Sequence, residues 1–395
     1  MSGMAEFDPF APMASEARYA ALGALRREAP LARIAAGPWL AVSMSSVLAG
    51  MKAVEHFAGS FGATGSGPED DQVMAAIPEP RHGKIRKVFN SALAYHHASQ
   101  VEPFARALAT QRLDAALETS QRHGEVEAVE RWLAPVPSAV IAQVLGVPGR
   151  DHERFARWSD ELLARQGQSD LEHSGMAGAH PEFAEYVDQG IATRLASASP
   201  SDDVISRLLF TEIEGEKLSP RMVRTQTMFL IVAGNETTRN LMGNCVHRLA
   251  RDAALYERLR REPTLVPALI EETLRLDSPV QLLARTCTRP IALDGVRIDE
   301  GERVLFHLAS ANRDEACFEE PAAFRLDRRN ARDHVAFGAG AHVCPGAYLA
   351  RMETRVVLET LLARIEKLAL APGYAFDPNP VFWALGPRTL RLTLS

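Results

Sequence analysis

A mostly α fold with small β-sheets is predicted for this chain of 395 residues, and three observations predict it. Apolar residues recur at helical spacing through most of residues 45–250, in segments rich in alanine, leucine, glutamate and arginine. Capping residues and prolines mark where individual helices begin and end. The runs that read as strands are short and few.

The elements follow in order. Trp39-Leu40-Ala41-Val42 is strand-like. Ser219-Pro220 is a cap followed by a first-turn proline, and it opens a long helix through Met228-Phe229-Leu230-Ile231-Val232 to about Leu249. Pro263 to Leu276 reads as another helix, stopped by Ser278-Pro279. Strand character returns from Arg289 to Ile298 around the turn Asp294-Gly295, and again from Thr389 to Leu394. The glycine-rich stretch at 62–68 and the region 166–181 are too short and too mixed for tethers; they read as surface loops, so residues 1–395 form a single domain on this reading.

Composition excludes several classes of function. Net charge is −6 with both signs interspersed, so no global field recruits nucleic acid or an anionic membrane. Cys245, Cys287, Cys317 and Cys344 are scattered without metal-ligand spacing and fit a reducing cytoplasm. Met1 to Ala21 holds Glu6, Asp8, Glu16 and Arg18 and no apolar run long enough for a signal sequence or span, so a cytoplasmic, monomeric chain without a membrane anchor is expected.

Three motifs carry chemistry. In Phe337-Gly338-Ala339-Gly340-Ala341-His342-Val343-Cys344-Pro345-Gly346, one cysteine sits in a glycine-studded loop that runs into a helix start at Ala347-Tyr348-Leu349-Ala350-Arg351. Glycines allow a tight loop that turns amides toward the sulfur, and the positive end of the following helix favours a thiolate. Glu272-Thr273-Leu274-Arg275 sets acid and base three apart on one helical face. Ala233-Gly234-Asn235-Glu236-Thr237-Thr238 places Thr237 four residues after Ala233, where its hydroxyl can bond the carbonyl and loosen the helix, with an acid beside it. Glu236 and Thr237 together can relay protons, and Gly234 would let the backbone approach a small ligand.

The order of these motifs resembles the cytochrome P-450 family over nearly the whole chain, including Leu133-Ala134-Pro135-Val136-Pro137, Leu145-Gly146-Val147-Pro148 and Ala311-Asn312-Arg313-Asp314. The resemblance implies a helical bundle around heme b, held by Cys344 as axial thiolate with Phe337 and Gly338 of its loop and Ala233 and Gly234 of the long helix beside it. His82, Arg86, Arg285 and His342 become the clamp on the heme propionates. Glu272 and Arg275 become a buried structural pair. Its usual third partner would be an arginine in a segment that here reads Pro321-Ala322-Ala323-Phe324, which leaves Arg313, Arg325 and Arg328 as candidates.

The implied activity is monooxygenation: one oxygen atom of dioxygen inserted into a lipophilic small molecule. Thr237 and Glu236 would supply protons. Electrons from NAD(P)H would arrive through a ferredoxin and its reductase, or a flavodoxin, docking near Arg81, Lys84 and Lys87. Alternatives are a peroxide-driven peroxygenase and a non-catalytic heme protein that binds a ligand or gas. Candidate substrate contacts are Phe229, Val232, Ala233, Leu282, Leu283 and Phe382, with the loops 57–77 and 162–183 as further walls. His96-His97 reads as surface or core-edge histidine.

Overall fold

The computed structural model describes residues 7–10, 15–34, 37–59, 68–93, 99–148, 151–165, 175–199, 201–212 and 214–395. Parts of both candidate loop walls, and His96-His97, lie outside these residues.

Helices dominate, as the periodicity predicts. They are α1 (Ser15–Glu28), α2 (Met44–Lys52), α3 (Arg81–Ala92), α4 (Glu102–His123), α5 (Pro135–Leu145), α6 (His152–Ala164), α7 (Pro181–Ala196), α8 (Val204–Phe210), α9 (Pro220–Arg251), α10 (Ala253–Arg261), α11 (Val266–Leu276), α12 (Leu308–Ala311) and α13 (Ala347–Arg364). The Ser219 hydroxyl accepts the Met222 amide at 3.0 Å and Pro220 takes the first turn, so α9 starts where the cap and proline place it. This helix is central, packing against α5, α6, α7 and α13. One flank buries Trp132, Leu241, Val246, Leu274 and Val356; another buries Phe155, Trp158, Phe183 and Ile231.

The strands are β1 (Leu31–Arg33), β2 (Trp39–Ala41), β3 (Phe57–Gly59), β4 (Val126–Glu127), β5 (Leu283–Cys287), β6 (Ile291–Leu293), β7 (Val296–Ile298), β8 (Arg303–Phe306), β9 (Leu368–Leu370), β10 (Asp377–Pro378), β11 (Pro387–Thr389) and β12 (Arg391–Leu394). The main sheet has the order β1-β2-β8-β5-β3, with β2 and β8 parallel. The run 289–298 resolves into the hairpin β6–β7, whose turn residues Asp294 and Gly295 have φ of 49° and 75°. Sequence patterning misses β1, β3, β5 and β8, because strands of three to five residues offer too few positions for a period of two to register. The helix expected from Pro263 begins with a 3₁₀ turn, Pro263–Leu265, and becomes α-helical at Val266.

Two adjacent carboxylates on α11 tie the cysteine side together. Glu272 is fully buried and accepts both arms of Arg275, at 2.7 and 2.8 Å. Arg328 supplies the third partner at 2.9 Å, with the Arg325 backbone amide at 3.0 Å; Arg313 instead reaches the Leu276 carbonyl. Burial opposes charge on Glu272, and Arg275 and Arg328 overcome it, so the carboxyl sits below its ordinary range. Arg275 also donates to the carbonyls of Asn312, Pro321 and Ala323, which satisfies its remaining donors. Glu271 accepts Arg351 of α13 at 2.7 and 2.9 Å and pairs with His334 at 3.2 Å.

Replacing Glu272 with glutamine leaves Arg275 buried and uncompensated, so the unfolding free energy is expected to fall by about 3–5 kcal/mol in urea denaturation. An unchanged midpoint would remove this network from the stability of the fold.

Candidate active site

The cysteine loop is a constrained turn. The Gly338 amide donates to the Val335 carbonyl and the Cys344 amide to the Phe337 carbonyl, both at 2.8 Å. Gly340 has φ of 68°, and a Cβ there would lie 2.8 Å from the Met51 carbonyl of α2, so glycine is required both for backbone angle and for space. Behind the loop, the amides of Gly346 and Ala347 at the start of α13 bond the Cys344 sulfur. Burial pushes this thiol up; those amides, with Arg86 and Arg351, work the other way and favour thiolate. Arg351 also lies over the Phe337 ring at 4.4 Å while it holds Glu271.

Four cationic or donor side chains converge beside this loop, from α3, β5 and the loop itself. His82 is buried with Nδ1 3.0 Å from Glu79, and its Nε2 has no hydrogen-bond partner among the described residues. Its ring lies 4.0 Å from that of His342. Arg86 bonds Asn90 at 2.9 Å and donates to the Val343 carbonyl beside Cys344. Arg285 donates to the Ala284 carbonyl at 2.9 Å, and burial lowers its pKa to about 10. Burial, then His82, Arg285 and Arg86, holds His342 down at about 3. Among the described residues neither Arg86 nor Arg285 has a carboxylate within salt-bridge distance. Buried guanidinium groups need anionic partners, and the two propionates of heme are such a pair. The orphaned His82 nitrogen, the two arginines and the amide-ringed cysteine therefore fit heme, which Cys344 would hold through its sulfur.

On α9, the Thr237 hydroxyl donates to the Ala233 carbonyl at 2.8 Å, the back-bond expected from the spacing. Glu236 is 2 % exposed; its Oε1 accepts the Asn379 amide at 2.6 Å, and Asn240 on the next turn also favours its charged form. Burial raises this carboxyl above the ordinary range, against the pull of Arg239. Gly234 faces α5, where a Cβ would meet Ile141 at 3.7 Å, an ordinary contact.

The expected substrate residues separate. Phe229, Val232 and Ala233 share the α9 segment, with Val232 buried in the cluster that Trp383 borders. Leu282 instead packs with Leu22, Leu40 and Leu305, and Leu283 against the cluster of Trp39, Phe57 and Phe306. Successive residues around a strand point to opposite faces, which sets the two side chains apart. Phe382 is 44 % exposed, edge-on to Phe10 at 5.1 Å. The basic cluster on α3 is not free: Arg81 pairs with Glu69 and Glu216, and Lys84 and Lys87 with Glu214. Sequence reasoning missed Glu271, Arg351 and Asn379 because their partners lie far along the chain.

This arrangement is that of a heme-thiolate protein, and comparison with known proteins agrees. The cytochrome P450 family model matches residues 50–370, so the chain belongs to that family. A steroid C26-monooxygenase of Mycobacterium tuberculosis is 35 % identical over 303 residues, covering 75 % of this chain and 79 % of the relative. A cytochrome P450 from Chondromyces apiculatus superposes with a TM-score of 0.87 at 32 % identity, covering 99 % of this chain and 98 % of the other. A Bacillus megaterium P450 solved with testosterone gives 0.82 at 30 % identity, covering 98 % and 99 %. The protein is accordingly a cytochrome P450 monooxygenase with heme as its cofactor. No helix among the described residues is long and apolar enough to cross a membrane.

Cys344→Ser removes the thiolate while leaving the loop glycines in place. The reduced carbon monoxide complex is then expected to lose its red-shifted Soret band, and a surviving band would place the iron ligand elsewhere.

Proposed function

We propose that this enzyme hydroxylates an uncharged lipophilic molecule of steroid size, with Cys344 as iron ligand and Glu236 and Thr237 as the proton-delivering pair. The observation that carries the reading is the back-bonded Thr237 next to a buried acid on the central helix. Heme, when bound, supplies dioxygen activation and oxygen insertion, fed by two electrons from a ferredoxin with its reductase or from a flavodoxin.

The remaining work falls to the chain's own side chains. Because Thr237 gives its hydroxyl proton to the Ala233 carbonyl, its oxygen keeps lone pairs free to accept from a water and hold it. Glu236 is fixed at one oxygen by Asn379, with Asn240 beside it on the next turn. Burial lets it keep a proton to higher pH than an ordinary carboxyl, which suits a donor working near neutrality. His82, Arg86, Arg285 and His342 would orient the heme through its propionates.

Apolar Val232 and Phe229 on the same helix favour a substrate without charge. A steroid is supported by the C26-monooxygenase activity for which the Mycobacterium relative is named and by the testosterone bound to the Bacillus one. Free, buried Cys245 and Cys287 support a reducing, cytoplasmic setting. Since Glu214, Glu216 and Glu69 offset the basic face of α3, a redox partner docking there would gain little long-range steering from it.

Three measurements test the reading. Thr237→Ala should bind heme and substrate as the parent does, yet lose roughly tenfold in product per electron with a matching rise in hydrogen peroxide; parent-like coupling would make the motif structural. Parent turnover is expected to fall as pH rises through the elevated pKa of Glu236, since the donor loses its proton, whereas Glu236→Gln should be about 10²-fold slower and flat over that range. Steroids should shift the ferric enzyme from low to high spin; silence with steroids beside a clear response to fatty acids would overturn the substrate class.

A further inference from the structure

Asn312 closes the short helix α12 and is fully buried. Its backbone carbonyl accepts Arg275 at 2.9 Å, as part of the network around Glu272. Its side chain serves two other partners. Oδ1 accepts the Val335 amide at 2.7 Å, and Nδ2 donates to the Ser278 hydroxyl at 2.9 Å. Val335 and Ser278 are buried as well. One partner needs an acceptor and the other a donor, and a carboxamide offers both on neighbouring atoms of a short planar group.

Val335 leads into the cysteine loop. Its carbonyl accepts the Gly338 amide and the Phe337 carbonyl accepts the Cys344 amide, both at 2.8 Å, so the position of Val335 passes to the cysteine through the turn between them. The next amide, that of Ala336, is taken by His334 Nδ1 at 3.2 Å, and His334 Nε2 meets Glu271. Two successive amides are thus pinned, one to the carboxylate network and one to Asn312. Asn312 is itself braced. Ser278 donates to the Leu274 carbonyl of α11 at 2.7 Å, and its own carbonyl accepts Gln281 Nε2 at 2.7 Å. Without Oδ1 the buried Val335 amide has no acceptor, a cost that drives the segment to shift until one is found. Phe337 shifts with it, and so does the carbonyl that holds the Cys344 amide.

We propose that Asn312 is a positioning residue for the Cys344 sulfur: by accepting the Val335 amide it fixes the entry of the cysteine loop and so the place where the sulfur stands. It touches neither sulfur nor substrate, and acts through Val335 and the turn that follows.

The inference rests on Cys344 as iron ligand, so Cys344→Ser is measured beside it. In heme-loaded Asn312→Leu, the peptide spanning residues 335–344 should exchange its amide hydrogens about tenfold faster, while peptides of α9 keep the parent rate. The red-shifted band of the reduced carbon monoxide complex should be lost roughly tenfold faster on mild heating, as the sulfur lets go. Two further variants separate positioning from packing. Ser278→Ala removes the other partner of the same side chain but leaves Oδ1 on the Val335 amide, so loop exchange and the carbon monoxide band should stay at parent values. Asn312→Asp, kept protonated by burial, presents an acceptor to Val335 and a donor to Ser278 and should restore both readings. An equal loss in Ser278→Ala would overturn the proposal, because the side chain would then act by packing alone. Should Asn312→Leu match the parent while Cys344→Ser loses the band, the ligand stands and the positioning role fails. Should Cys344→Ser keep the band, the ligand lies elsewhere and the role falls with it. If Asn312→Leu does not fold, Asn312→Ser, too short to reach both partners, is read against the same outcomes.

Discussion

The thiolate side of this molecule depends on two neighbouring carboxylates that water cannot reach. Glu271 faces forward to Arg351 and His334, and so to the cysteine loop and the helix behind it. Glu272 faces back to Arg275 and Arg328, and so to the coil between residues 312 and 328. Burying two anions in sequence is expensive, and the expense is offset only when every cation and carbonyl of the network is in place. The loop glycines, the stacked Phe337 and the carbonyls aimed at Arg275 are meaningful only against that background. A site built this way has one arrangement or none, which is what a ligand sulfur needs if it is to meet iron at a fixed angle.

The same logic separates what the sequence disclosed from what it withheld. The cysteine loop was legible because its requirements are local: Gly338, Gly340, Cys344 and the helix start lie within fourteen residues of each other. The Thr237 back-bond to Ala233 was legible because helix geometry alone sets it. Arg328 as third partner of Glu272 was not, since Arg313, Arg325 and Arg328 are equivalent until the coil between them is folded. The neighbour that Gly234 faces was hidden for a related reason, because spacing gives the angle between two residues around a helix but not the direction in which the helix as a whole is turned. That Leu282 and Leu283 divide between two clusters was hidden because the strand that begins there is too short to be seen in advance.

Charge was the other quantity that counting could not settle. The run Arg81, Lys84, Lys87 reads as a free basic face, yet Glu69, Glu214 and Glu216 meet it from segments far away in sequence. On the same helix, Arg86 has no acidic partner among the described residues, and His82 meets Glu79 through Nδ1 alone, leaving its buried Nε2 unmatched. One helix thus spends its outward cations on holding the fold and keeps its inward ones for a bound anion. That division follows from burial, which makes an unpaired inward charge far more costly than an outward one and so a sharper sign of a missing partner.

The distribution of the heme contacts along the chain bears on how the protein is made. Of the residues proposed to hold it, His82 and Arg86 emerge early in synthesis, Arg285 late, and His342 and Cys344 near the end. A nascent chain therefore carries half a cradle for most of its time on the ribosome, with buried cations exposed and no sulfur to anchor a prosthetic group. Heme can be captured only once the C-terminal helix α13 has left the exit tunnel. Supply of the cofactor consequently has to match the late stages of translation, and any truncation before Cys344 yields a product without the proposed iron ligand.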